Sequence, residues 1–127
     1  MIRYVTIVVD DYDTAITYYT QVLAYVVRED VALTPHKRWV VVGSADGQGC
    51  GLLLAKAATP EQTAHIGNQT GGRVAFFYAT DNFDAAYARM QACGVTFLET
   101  PRHEAYGMVV KWRDRYGNMW DLIGESP

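Results

Sequence analysis

The segment Pro101–Gly107 holds an arginine, a histidine, a glutamate and a tyrosine, the densest group of reactive side chains in the chain. Glu104 and His103 are residue types that accept or deliver a proton, and Tyr106 can donate a hydrogen bond to a carbonyl, so an inward-facing loop here would support acid–base chemistry with Glu104 as the candidate base. An exposed polar loop is the competing account. Arg73 is a permanent cation, of a type that can hold an anionic or carbonyl group. Arg38 and Lys111 fall in equivalent strand regions and add to that character, although a solvated strand edge also suits Lys111. His36 and His65 have no partners at metal-ligand spacing. There is no glycine-rich phosphate loop, no nucleophile elbow and no cysteine–histidine arrangement of a recognised kind.

The elements that must position these residues occur twice. Val5–Val9 leads into an aspartate-rich turn, and Val74–Tyr78 leads into Thr80–Asp84. A helix pattern follows each, then three strand-like runs: Tyr25–Glu29, Arg38–Val42 and Gly51–Leu54 in the first half, Val95–Glu99, Met108–Trp112 and Trp120–Ile123 in the second. A nearly constant offset between these segments points to internal duplication. The expected fold class is α+β, with two tandem βαβββ modules, residues 1–57 and 72–127, joined by 58–71 in a single domain over 1–127. Their mixed eight-stranded sheet arrangement would enclose a cavity.

Tyr12, Ile16, Tyr19 and Leu23 recur at helical spacing, which predicts a helix over Tyr12–Leu23. Phe83, Tyr87 and Met90 predict a second over Phe83–Cys93, ended by Gly94 in the left-handed conformation. Thr59-Pro60-Glu61-Gln62 combines a cap, a proline at the first helical position and a glutamine three residues after the cap, and predicts a short helix to about Ile66. Asn68–Gly72 is expected as a turn-rich hinge and Asp114–Asn118 as a tight turn. Gln62 and Gln69 flank the hinge, where capping and turn duties account for them as well as amide contacts to a ligand. Asp30–Lys37 and Thr100–Gly107 are expected as loops roofing the cavity.

Of the 127 residues, 50% are hydrophobic and 20% charged, enough apolar material for one cored unit. A net charge of −3 without a basic block speaks against nucleic acid as a partner. No apolar run reaches membrane-spanning length, and the first strand is expected too close to Met1 to leave room for a signal peptide. Cys50 and Cys93 are expected as reduced thiols in a cytoplasmic protein.

The duplicated unit, the aspartate-rich turn into Ala15-Ile16-Thr17-Tyr18-Tyr19, and the ending Asp114-Arg115-Tyr116-Gly117-Asn118-Met119-Trp120-Asp121-Leu122-Ile123 resemble the vicinal oxygen chelate superfamily, which contains glyoxalase I, bleomycin-resistance proteins and extradiol dioxygenases. Ala24-Tyr25 departs from the Gly-Phe usual after the first helix. In metal-using members the ligands come from the first and last strand of each half. Carried onto this chain, those sites fall on Tyr4, Leu52, Arg73 and Asp121, with Gly51 and Leu53 as the register alternatives to Leu52. Only Asp121 is an ordinary ligand for a divalent cation, and Arg73 would repel one. The expectation is therefore no metal and no cofactor.

Alternation places Tyr4, Thr6 and Val8 on one strand face and Arg73, Ala75 and Phe77 on the matching face of the second half, with Asp121 and Ile123 beside them. The resemblance implies that these faces line the cavity, where Arg73 and Asp121 would form an ion pair in place of the metal. That pair either closes the cavity floor or leaves Arg73 to anchor a ligand. The expected ligand-binding set is Tyr4, Arg38, Arg73, Phe77, Tyr106 and Asp121. Trp39, Trp112 and Trp120 are most simply core or interface residues. The function expected is a metal-free, dimeric protein that sequesters or senses a small anionic or aromatic molecule. The alternative is a glyoxalase-like lyase or isomerase, or a dioxygenase-like enzyme, with an atypical active site.

Overall fold

A computed structural model describes residues 1–125 as two compact units, the first Met1–Ile66 and the second beginning at Gly67. The first unit runs β1 (Tyr4–Val9), α1 (Tyr12–Leu23), β2 (Val26–Thr34), β3 (Lys37–Gly43), β4 (Gly51–Lys56) and α2 (Pro60–Ala64). The second runs β5 (Phe76–Thr80), α3 (Phe83–Ala92), β6 (Thr96–Phe97), β7 (Arg102–Glu104), β8 (Gly107–Arg113) and β9 (Met119–Glu125). The fold is α+β, as expected from the pattern. The sheets have the orders β1-β4-β3-β2 and β5-β9-β8-β6, with β7 also on β8. In each, the first and last strands pair in parallel and the remaining pairs are antiparallel.

Local chemistry sets the helix limits. Asp11 caps α1 by accepting from Thr14 N, and Asn82 caps α3 by accepting from Ala85 N. Thr59 accepts from Gln62 N while Gln62 Oε1 accepts from Ala58 N, a reciprocal cap that starts α2 at Pro60. Gly94 takes φ 74 just beyond α3. At the end of α1 the same conformation falls to Ala24, at φ 54 and ψ 31, the position where the resemblance implies glycine.

Alternation divides each sheet into two faces. In the first unit Ile7, Val9, Val40, Val42, Leu52 and Leu54 are buried beneath the Tyr12, Ala15, Tyr19, Val22 and Leu23 side chains of α1. In the second, Val110, Trp112, Trp120 and Leu122 are buried with Ala86 and Met90 of α3, and the two indoles stack at 5.0 Å. Among the described residues no helix is long and apolar enough to cross a membrane.

Two expectations need correction. Asp30–Lys37 is not a roofing loop: β2 continues to Thr34 and pairs with Lys37 of β3, because Val31 and Leu33 extend the strand pattern past the charged residues. In Thr100–Gly107, β7 pairs with β8, Arg102 opposite Val109 and Glu104 opposite Gly107, so this segment is a hairpin around Ala105-Tyr106.

Candidate functional site

The second sheet carries its polar chemistry on the face turned away from α3. Phe77, Asp121 and Lys111 form one row across β5, β9 and β8, and Ala79, Ile123, Val109 and Arg102 form the next. Phe77 is 64% exposed. A groove of about 380 Å³ lies beside it, lined by Gly72, Arg73, Val74, Phe77, Lys111 and Met119. Arg73 precedes β5 and is exposed, and its turn is held by Thr70 Oγ1 donating to Arg73 O at 2.7 Å.

The expected ion pair between Arg73 and Asp121 does not form, because Arg73 stands outside the strand while Asp121 sits within β9. Asp121 Oδ1 is buried and has no hydrogen-bond partner. Burial, opposed by the charges of Lys111 and Arg102, pushes its carboxyl above the ordinary 3.8. Arg102 is instead committed to carboxylates: its Nε donates to Glu99 Oε1 at 3.1 Å and its Nη1 to Glu104 Oε1. Glu99 Oε1 also accepts from Lys111 N at 3.0 Å. Burial works to raise Glu99, but these two donors outweigh it and hold the carboxyl below its usual value. Glu104, the candidate base, is thus occupied by Arg102, and Tyr106 at the hairpin tip is 56% exposed.

In the first unit, Arg38 is another correction. It reaches the α1 side of the sheet, where Nη1 meets Asp13 Oδ1 at 2.9 Å and the Nε/Nη2 fork grips Asp30 at 3.2 and 2.7 Å. Its guanidinium also lies 5.3 Å from the Tyr12 ring centroid. This cation fastens α1 to the sheet and is not presented on the opposite face. On that opposite face Tyr4 Oη and Trp39 Nε1 both donate to Glu29 Oε2, at 3.0 and 3.3 Å, and the two rings meet edge to face. The Glu29 carboxylate on the phenol holds Tyr4 above its ordinary 10.

The positions carried over for a metal shift as well. β1 ends at Val9 and β5 at Thr80, a separation of 71, and α1 and α3 begin 71 apart. On that register Tyr4 corresponds to Ala75, not Arg73. The strand pairs agree: Thr6 faces Leu53 as Phe77 faces Asp121, which makes Leu53 the counterpart of Asp121. Leu52 belongs to the buried α1 side. Tyr4, Ala75, Leu53 and Asp121 do not make the ligand set that the resemblance implies for a divalent cation. Among the described residues, no three His, Cys, Asp or Glu side chains gather where a metal ion could be held.

Sequence reasoning missed Glu29 and Glu99 as site residues, and reached Lys111 only as an added cation and Arg102 only as part of its loop. Their alternation with apolar neighbours was the available signal, but it could not say which face was covered by a helix.

A family model described as Glyoxalase/Bleomycin resistance protein/Dioxygenase superfamily matches residues 1–122. An uncharacterized protein of Shewanella frigidimarina (strain NCIMB 400) is 46% identical over 123 residues, covering 96% of this chain and 91% of its own. The solved structure of UcmS2 is 32% identical, with a TM-score of 0.81 over 97% of this chain and 96% of that one. TnmS3, an antibiotic binding protein from Streptomyces sp. CB03234, shares the fold at 24% identity and a TM-score of 0.77, covering 99% and 96% of the two chains.

Proposed function

This chain belongs to the Glyoxalase/Bleomycin resistance protein/Dioxygenase superfamily, and from that premise we propose that it is a metal-free protein that binds a small molecule in order to sequester or sense it. The groove beside Phe77 carries this reading. An aromatic ring 64% exposed gains by being covered, and Arg73 and Lys111 flank it with no acidic partner within 4 Å among the described residues. A ligand with a flat apolar body and an anionic or carbonyl group answers both features. The description of TnmS3 as antibiotic binding supports the same class of role. The protein is proposed to act as a homodimer in the cytoplasm.

The enzymatic alternative, a lyase or isomerase using Glu104 as base, has less support because Arg102 already holds that carboxylate. Native mass spectrometry and elemental analysis of untagged protein test the proposal, followed by calorimetry with the copurifying molecule. The expected result is a bound organic molecule, no stoichiometric transition metal, and binding lost in Arg73→Ala. Glu104→Gln should change affinity only modestly. A variant that keeps binding but loses turnover by roughly a hundredfold would establish the enzyme instead.

A further inference from the structure

Next to the Phe77 groove the second unit holds another recess of about 270 Å³, which shares Gly72, Arg73 and Met119 with it and adds Arg113, Thr70 and Asn68. Its position follows from strand register. Lys111 and Arg113 project from β8 on the face turned away from α3, and Arg113 stands opposite Met119 of β9. Ala75 N donates to Met119 O at 2.8 Å, which brings Arg73, two residues earlier, to the same end of the sheet. Gly67 also lines the recess, and the backbone packs closely there, since a Cβ on Gly67 would lie 1.8 Å from Tyr116 O.

Arg73 thus lines both recesses, with Lys111 in the groove and Arg113 in the smaller recess, and among the described residues none of the three has a carboxylate within 4 Å. Asp114, close to Arg113 in the chain, does not neutralise them. It is buried, and its oxygens accept from the N–H groups of Tyr116, Gly117 and Asn118, from Asn118 Nδ2 and from Trp120 Nε1. Like charges held at one site favour whatever anion can bridge them, and guanidinium groups bind planar or tetrahedral oxyanions through paired N–H donors. The recess is smaller than the ~300–1,000 Å³ typical of a whole ligand site, so it suits a head group, with the adjoining groove taking the body.

We propose that the Arg73–Arg113 recess is an oxyanion subsite and that the ligand is an aromatic or apolar molecule bearing a carboxylate or phosphate. This rests on the small-molecule-binding reading of the Phe77 groove. Calorimetry with benzoate, phenyl phosphate, phenol and inorganic phosphate tests it, on the wild type and on Arg113→Gln, whose side chain is exposed. Benzoate or phenyl phosphate should bind at least about tenfold more tightly than phenol, and Arg113→Gln should remove about that factor while leaving phenol unchanged. Whichever anion binds better identifies a carboxylate or a phosphate ester as the head group. Phenol binding as tightly as the anions, or anion binding indifferent to Arg113→Gln, overturns the subsite and leaves the groove standing. Inorganic phosphate bound in an Arg113-dependent way, with no aromatic bound, upholds the subsite and removes the groove reading. No binding of any probe removes both.

Discussion

Lys111 and Asp121 face each other in the β8–β9 register, yet they close no ion pair, and Asp121 Oδ1 is left buried and unbonded. A buried acceptor without a donor costs stability, and charging it costs more. The folded chain thus holds the Asp121 proton more tightly than the unfolded chain does. Its contribution to stability is full below the ordinary 3.8 and is lost as pH rises through the raised value. Asp121→Asn should therefore raise the thermal midpoint by a few degrees at pH 7, with the gain shrinking as the pH falls towards 3.8. Melting curves across that range check this, and a lowered midpoint at neutral pH would show that the charge is compensated.

Arg38 joins Asp13 and Tyr12 of α1 to Asp30 of β2, so Arg38→Met, which keeps much of the stem, should lower the midpoint by a few degrees while leaving ligand affinity at the Phe77 groove unchanged. The Arg38 hydrogen bond holds Asp30 below its ordinary 3.8. That stabilisation is present above 3.8 and disappears as the pH falls through the lowered value, so wild type and variant should converge in acid. A loss of ligand affinity in this variant would return Arg38 to the binding site.

Ala24 occupies the left-handed region at φ 54, where an L side chain is strained and glycine is not. Ala24→Gly should stabilise the protein by about 1 kcal/mol, read by urea denaturation. Any destabilisation would mean that the greater freedom of glycine in the unfolded chain outweighs the relief of strain.

The edge strand β2 exposes Val26, Val27, Val31 and Leu33 at 40–53%. Unprotected apolar edges favour association, so light scattering should give twice the 14.2 kDa chain mass. Paired Val31→Lys and Leu33→Lys substitutions should shift that value towards the monomer. A mass of 14.2 kDa for the wild type sinks the dimer proposal.

Signals that act over a few residues were legible without coordinates. Thr59 with Gln62 and Gly94 mark helix limits because caps and left-handed turns are settled by neighbouring backbone groups, whereas the Asp11 and Asn82 caps emerged only with the structure. The doubled pattern implied the shared strand order, since a repeated succession of elements favours a repeated packing solution. The local environment of each charge was decided only by tertiary structure. Aligning Val5 with Val74 put Arg73 opposite Tyr4, but strand and helix limits in the two units are separated by 71, which puts Ala75 there and leaves Arg73 before the strand. Side chains alternate with a period of two, so register decides which face a residue occupies, and α1 covering one face took Arg38 into its own clamp. Cross-strand pairing likewise gave Asp121 the company of Lys111 rather than Arg73, because residues far apart in the chain become neighbours only once the ladder is formed.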